Sequence, residues 1–361
     1  MAIPYSRFIV GNITWYSVLI MSGILLAYLL GAREEKRLGL KKDTMLDVVL
    51  IAVPAGIIGA RVYYVLMKLP EFAADPVSVL YIWKGGVAIY GAVIGGVLAL
   101  YIYSRVKKIS LASLTDMVAP GLILAQAIGR WGNYFNREAF GPVITDAFWQ
   151  FFPAGVLINE NGAEVWHAAT FFYESMWNVL TFAVLWLTRR RMKRRGDVFL
   201  WYMALYGCGR FLVEQLRTDS LYLLQMRVSQ ILSLLLCVAV AAVFLWRLYR
   251  TEKGRPFAAY LLLCLLAFIR PLLAASLAGV IGTIVLYVLS IGGLLFCAGK
   301  DKAALIWTGA DMIVYLTLWI FGGQGLWQSP YFFYAGISVA VYLLLPYRKI
   351  TGEALHANSG A

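Results

Sequence analysis

The chain has 361 residues, of which 61% are hydrophobic and only 14% charged, with a mean hydropathy of +0.74. A soluble domain of this size carries about 25% charged residues, so the composition excludes an ordinary water-soluble fold and points to lipid as the solvent. The 32 Lys and Arg against 19 Asp and Glu leave a net charge of +13, which suits nucleic acid or a membrane surface until the charges are placed.

Apolar runs follow one another along the chain. Those at 15–30, 46–67, 87–103, 114–128, 171–187, 198–213 and 231–248 are all near the roughly 20 residues a helix needs to cross a bilayer. Four more follow Arg255, at 257–273, 277–298, 305–321 and 331–346. The expectation is an all-α, polytopic integral membrane protein. It has a seven-span core over 1–253, about four further transmembrane helices over 254–361, and a small external subdomain after span four at about 130–170.

Basic residues gather in alternate loops: Arg33, Lys36, Arg37, Lys41 and Lys42; Arg105, Lys107 and Lys108; Arg189, Arg190, Arg191, Lys193, Arg194 and Arg195; and Arg247, Arg250, Lys253 and Arg255. The intervening loops are poor in Lys and Arg, which is the positive-inside pattern. It places the N-terminus outside, these clusters and the C-terminus in the cytoplasm, and the basic residues against anionic headgroups rather than nucleic acid. The first span has one upstream basic residue, Arg7, and no small-residue cleavage site, so it is expected to stay as an anchor. Cys208, Cys237, Cys264 and Cys297 all lie in apolar segments, no CxxC occurs, and the two histidines are His167 and His356. That inventory offers no zinc or disulfide framework, and neither a metal nor a cofactor is expected.

Charged groups at bilayer depth are costly and usually face a cavity. The run Gly129-Arg130-Trp131-Gly132-Asn133-Tyr134-Phe135-Asn136-Arg137-Glu138-Ala139-Phe140-Gly141 follows an apolar helix. Its arginines can fork onto phosphate oxygens and its asparagines can hydrogen-bond ester or glycerol oxygens. Read as non-helical backbone, it must be buried in protein or line a cavity, with glycines that let a ligand come close. Farther on, Tyr206, Arg210, Glu214 and Arg217 fall on one face of a helix at about 100° per residue. Cys208 lies far round from Arg210. The run 85–96, with Gly91, Gly95 and Tyr90, reads first as a small-residue packing seam. Arg61, Asp116 and Glu174 can each be a functional group or a structural partner, and His167 reads as a surface or headgroup histidine.

These residues resemble the prolipoprotein diacylglyceryl transferase family. The run 129–141 is similar to its G-R-x-G-N-x-x-N-x-E-x-x-G signature. Trp15-Tyr16 resembles its early W-Y element, Gly59-Ala60-Arg61 its G-x-R, Asp75-Pro76 with Gly85-Gly86 its D-P and G-G stretch, and Tyr173-Glu174 its Y-E element. Tyr206-Gly207, Arg210, Glu214 and Arg217 resemble its Y-G-x-x-R-x-x-x-E-x-x-R, and Gln230-Ile231-Leu232-Ser233 its Q-I-L-S. The resemblance covers roughly residues 10–250.

It implies a transferase of the bacterial cytoplasmic membrane, with phosphatidylglycerol and the lipobox segments of prolipoproteins as partners, membrane lipids around it, and no nucleic acid. The lipobox thiol attacks the glycerol carbon that bears the phosphate, a thioether forms, and glycerol phosphate leaves. On this reading Arg130 and Arg210 bind phosphate and stabilise it as it leaves, while Glu138 and Glu214 position the arginines. Asn133 and Asn136 orient the headgroup, Tyr16, Tyr90 and Tyr206 line the cavity, and Arg61 and Gly141 complete the substrate site. Some family members carry His where this chain has Tyr90; a phenol is a poor base at neutral pH, so the proton acceptor stays open. The chain does not begin with a lipobox cysteine and is read as modifier rather than client. Three rival readings remain: a lipid transporter or flippase, an inactive lipid-binding paralogue, and a phosphatidylglycerol-using transferase with another acceptor.

Overall fold

A computed structural model describes residues 6–251, apart from 12, 161, 193, 219–221 and 224–225, together with 308 and 310–313. The four spans expected beyond residue 253, and the boundary drawn there, lie outside the described residues except for a helical stretch at 310–313.

Helices dominate. A short hairpin of β1 (Phe8–Val10) and β2 (Ile13–Thr14) leads into α1 (Trp15–Arg37). The Thr14 hydroxyl accepts the Ser17 backbone N–H at 3.2 Å, a side-chain N-cap. Next come α2 (Thr44–Met67), the short α3 (Leu69–Ala74), two 3-10 turns at Pro76–Leu80 and Ile82–Lys84, α4 (Ile89–Lys107) and α5 (Leu111–Asn136). A hairpin of β3 (Gly155–Glu160) and β4 (Ala163–Ala168) separates α5 from α6 (Thr170–Thr188) and α7 (Asp197–Glu214). The two-residue strands β5 (Tyr222–Leu223) and β6 (Met226–Arg227) precede α8 (Val228–Thr251). By length and composition, α1, α2, α4 and α5 can each cross a membrane. Large apolar side chains such as Leu25, Leu50, Ile58, Val97 and Leu122 are exposed on these helices, as lipid-facing surface requires.

Two expectations change here. The fold is mostly helical rather than all-α, because the segment between α5 and α6 is built around β3 and β4. Val156 and Ile158 alternate inward and are buried, a period-2 pattern. The turn closes with the Gly162 N–H on Asn159 Oδ1 at 3.1 Å, Gly162 taking φ +92°, a backbone state in which glycine carries no Cβ penalty. The second change concerns the run 129–141. α5 continues through Asn136, so the first eight residues are helix; only from Arg137 does the chain turn out, with Arg137 and Ala139 both at positive φ.

α5 is the axis of the bundle. It packs on α1, α6 and α7, while α2 pairs with α4 and α7 with α8. The α2–α4 seam is a glycine contact, as the small-residue spacing implies: a Cβ on Gly59 would strike the Gly91 carbonyl, and one on Gly95 the Ala55 carbonyl.

One end of the bundle is fastened by buried carboxylates. Glu34 on α1 takes Arg37 Nε at 2.6 Å and Arg189 Nε at 2.7 Å. Glu35 accepts the backbone N–H of Asp43 and of Met45 at 3.1 and 2.7 Å, which fixes the start of α2. Asp116 accepts the N–H of Gly196 and of Phe199 at 2.6 and 2.9 Å, satisfying donors at the start of α7. Asp197 pairs with Arg247 at 2.5 Å, and at the surface Asp47 pairs with Lys107 at 3.6 Å. All four basic clusters therefore send a member to the same end. Arg37, Arg189 and Arg247 there answer protein carboxylates rather than the headgroups expected from sequence.

Candidate functional site

At the opposite end, the close of α5, the start of α6, the close of α7 and the start of α8 bring their polar residues together. Glu174, one turn into α6, is 2% exposed. Its Oε1 lies 2.8 Å from Arg130 Nη2 on α5, and its Oε2 lies 3.1 Å from Arg210 Nη1 on α7. Arg210 also places Nη2 2.6 Å from Glu214 Oε2 one turn on and 3.3 Å from the Ser229 hydroxyl on α8. Both arginine side chains stay partly open, Arg130 at 24% and Arg210 at 14%, whereas Glu174 and Glu214 are closed off at 3% and 2%. The four formal charges cancel, which is what permits so many ionised groups in an apolar bundle.

A second chain of contacts runs outward from Arg130. Its Nη1 donates to Asn133 Oδ1 at 3.4 Å, Asn133 Nδ2 donates to Glu138 Oε1 at 2.9 Å, and Asn136 Nδ2 donates to the same oxygen at 3.3 Å. Glu138 therefore reaches Arg130 through Asn133. Inward, Tyr206 lies within the fields of Glu174, Arg130 and Arg210 and stacks on Tyr202, whose hydroxyl meets Gln126 Nε2 at 3.1 Å. A polar seam thus enters the bundle between α5 and α7.

Helix packing sets these positions. Gly132 lets α1 approach, because a Cβ there would run into the Tyr16 ring. The signature glycine accommodates a neighbouring helix, not a ligand. Ser175 Oγ donates to the Ala127 carbonyl at 2.9 Å and Trp177 Nε1 to the Leu205 carbonyl at 2.8 Å, locking α6 between α5 and α7. Gly209 leaves room for the Trp177 ring beside Arg210. Cys208 faces away, its sulfur 3.8 Å from that of Cys237 on α8.

Arg130, Asn133, Asn136, Glu138, Tyr206, Arg210 and Glu214 are thus brought into one network, with Tyr16 against it. Three residues expected at the site stand elsewhere. Arg61 gives Nε to the Val79 carbonyl, Nη1 to the carbonyls of Gly85 and Gly86, and Nη2 to that of Ser78, at 2.6–2.8 Å, under the Phe72 ring. With four hydrogen bonds from a group of five N–H donors, it organises the segment between α2 and α4. Tyr90 lies on the same helix pair, its ring 6.3 Å from that of Tyr63. Gly141 is a packing position at the foot of the β3–β4 hairpin: its N–H bonds the Ala168 carbonyl at 2.8 Å, and a Cβ would meet the Leu216 carbonyl at 2.7 Å. Arg217 follows the end of α7, its N–H on the Glu214 carbonyl at 3.2 Å. His167, expected at the surface, is 4% exposed, with Nδ1 2.9 Å from the Gly141 carbonyl, Nε2 3.2 Å from Glu160 Oε1 and its ring against Phe140. Strand pairing carries it inward.

Of the three residues that sequence reasoning left undecided, Arg61, Asp116 and Glu174, only Glu174 joins this network. Its place between two arginines depends on three helices meeting, and the adjoining Tyr173-Glu174 element was the one available signal.

Comparison with known proteins identifies the family. Residues 6–247 match the family model described as prolipoprotein diacylglyceryl transferase. A protein of Enterococcus faecalis named phosphatidylglycerol–prolipoprotein diacylglyceryl transferase is 45% identical over 238 residues, 64% of this chain and 86% of the relative. One of Listeria monocytogenes with the same name is 45% identical over 250 residues, 68% of this chain and 89% of the relative. Another so named, of Halalkalibacterium halodurans, is 42% identical over 259 residues, covering 69% and 86%. The matched stretch contains every helix of the bundle's polar network, and the chain belongs to the prolipoprotein diacylglyceryl transferase family.

Proposed function

We propose that this chain transfers the diacylglyceryl group of phosphatidylglycerol to the lipobox cysteine thiol of prolipoproteins, the first step of bacterial lipoprotein maturation. The observation that carries the reading is the meeting of Arg130 and Arg210, from different helices, on one buried carboxylate. Two partly open guanidiniums side by side form a receptor for a phosphodiester, each supplying planar donors to its oxygens.

In the reaction the thiol gives up its proton, and its sulfur bonds to the glycerol carbon that carries the phosphate. The carbon–oxygen bond breaks with its electron pair on the phosphate, which leaves as glycerol phosphate. The leaving group carries one more negative charge than the diester did, so cations already in place stabilise the departure more than the ground state. Arg130 and Arg210 supply that charge. Glu214 holds Arg210, and Glu138 holds Asn133 and Asn136 towards the headgroup. Tyr16 and Tyr206 line the cavity, Tyr206 at its inner end. Tyr90 and Arg61 enter through the α2–α4 side of the cavity, Arg61 by organising the segment 75–86 and Tyr90 by lining it.

We place α1, α2, α4, α5, α6, α7 and α8 as the seven spans, with the N-terminus and the β3–β4 segment outside. The fastened basic end then lies in the cytoplasm together with the C-terminus. Membrane lipids surround the core, and the apolar runs after residue 253 are accessory to the chemistry.

The test is an assay with phosphatidylglycerol and a lipobox peptide on the full chain, an Arg210→Ala variant and a chain ending near residue 253. Thioether from the first and last but not from Arg210→Ala is the expected result. A folded full chain that forms no thioether overturns the reading.

A further inference from the structure

Glu174 lies between the two arginines that the reading above assigns to the substrate phosphate. One carboxylate oxygen faces each arginine, at 2.8 and 3.1 Å, much as the two unesterified oxygens of a phosphodiester would. The side chain is 3% exposed, yet Oε1 receives no aligned hydrogen bond from Arg130 despite the short distance. Charge and proximity hold this contact, and it lacks the directed bonding that makes an arginine–carboxylate pair strong. On the other flank Arg210 donates to Glu174 Oε2 at 3.1 Å; when that bond is given up it still has the Glu214 ion pair at 2.6 Å, itself without an aligned hydrogen bond, and its bond to the Ser229 hydroxyl at 3.3 Å. Arg130 likewise keeps Asn133.

Resting on the transferase reading above, we infer that Glu174 is a positioning residue that stands in for the substrate phosphate. It holds the two guanidiniums at one phosphate's spacing while the site is empty, yields them to the incoming diester, and reclaims them as the product leaves. The empty site is neutral across Arg130, Arg210, Glu174 and Glu214. A diester brings the sum to minus one and the monoester product to minus two. Glu174 therefore weakens binding of both, and of the product most, because repulsion grows with the charge on the ligand. Its effect is to prevent the arginines from retaining glycerol phosphate. Catalysis needs cations that stabilise a leaving anion and then release it; a resident carboxylate supplies the release.

The test compares the full-length wild type with Glu174→Gln and Glu174→Asp in phosphatidylglycerol nanodiscs, reading KM, kcat and inhibition by sn-glycerol 1-phosphate. Glu174→Gln is expected to lower KM, lower kcat and tighten inhibition by about tenfold. Glu174→Asp, which keeps the charge, stays nearer wild type in all three. A brace with no part in exchange would give a fall in kcat with inhibition unchanged or weakened, and that result overturns the inference. Wild type alone provides a second readout that needs no variant to fold. With carbon-13 glutamate, infrared difference spectra on adding sn-glycerol 1-phosphate are expected to show a shift in glutamate carboxylate bands, and their constancy overturns it too. If wild type neither binds glycerol phosphate nor forms thioether, the transferase reading falls as well; if wild type does both and only the Glu174 results fail, this inference falls alone.

Discussion

Arg189 Nε lies 2.7 Å from Glu34 Oε1, joining the end of α6 to the end of α1 across 155 residues of sequence. Glu34 is 1% exposed and answers Arg37 as well. Its removal leaves two guanidiniums with no carboxylate between them. Arg37 is about a quarter open to solvent, so Glu34→Gln is expected near the lower end of the range for a broken buried pair, about 3 kcal/mol. Thermal unfolding in detergent measures it. Activity per folded molecule should hold, because the pair lies at the far end of the bundle from Arg210.

Arg210 gives the opposite pattern. Arg210→Lys keeps a positive charge but loses the planar fork that meets Glu174, Glu214 and Ser229 together. The expected loss is about 10²–10³-fold in kcat, the scale for removing one group aimed at developing charge, with a smaller change in melting temperature. Steady-state kinetics beside a melting curve separates the two. A lysine variant with near-wild-type kcat would sink the assignment.

The two glycines of the signature helix should behave differently from one another. A Cβ on Gly132 enters the Tyr16 ring, whereas one on Gly129 meets Ile20 Cδ1 at 3.5 Å, an ordinary contact. Gly132→Ala is expected to cost about 1–3 kcal/mol through overpacking. Gly129→Ala should be neutral or gain up to about 1 kcal/mol from helix propensity. Equal effects at the two positions would mean that the glycines serve something other than the α1–α5 contact.

His167→Ala removes the bond to the Gly141 carbonyl and the ring against Phe140. An expected cost of about 1–3 kcal/mol follows from the carbonyl left unpaired in a buried place. Limited proteolysis should then cut between α5 and α6 before it cuts elsewhere. Unchanged protection of that segment would show that the strand pairing alone holds it.

The apolar runs announce the helices because lipid leaves a long, uninterrupted mark on sequence. The face carrying Tyr206, Arg210 and Glu214 is legible for a similar reason, since helical spacing is local. Glu174 is not legible in that way; its partners lie 44 and 36 positions away, and no periodicity links them. Glu34 and Glu35 sit beside Arg33, Lys36 and Arg37 and look like part of a solvated charged loop, yet packing buries both. The β3–β4 hairpin did leave a signal, Asn161-Gly162 between Val156-Leu157-Ile158 and Val165-Trp166, which the density of Gly, Asn and Pro around it obscures. The helix through Asn136 was missed because glycine and asparagine lower helix propensity, while the contact of Gly132 with Tyr16 overrides it.

Asp116 fixes the first turn of α7 through Gly196 and Phe199, and that has a consequence at the other end of the same helix. Arg210 stands about 20 Å along the axis from Asp197, and each residue of slippage would rotate it by about 100°. A one-residue slip would swing the guanidinium off Glu174 altogether. The anchor at the start of α7 thus sets the rotational phase in which its distal arginine is presented. A side chain remote from any substrate determines which way the chemistry points.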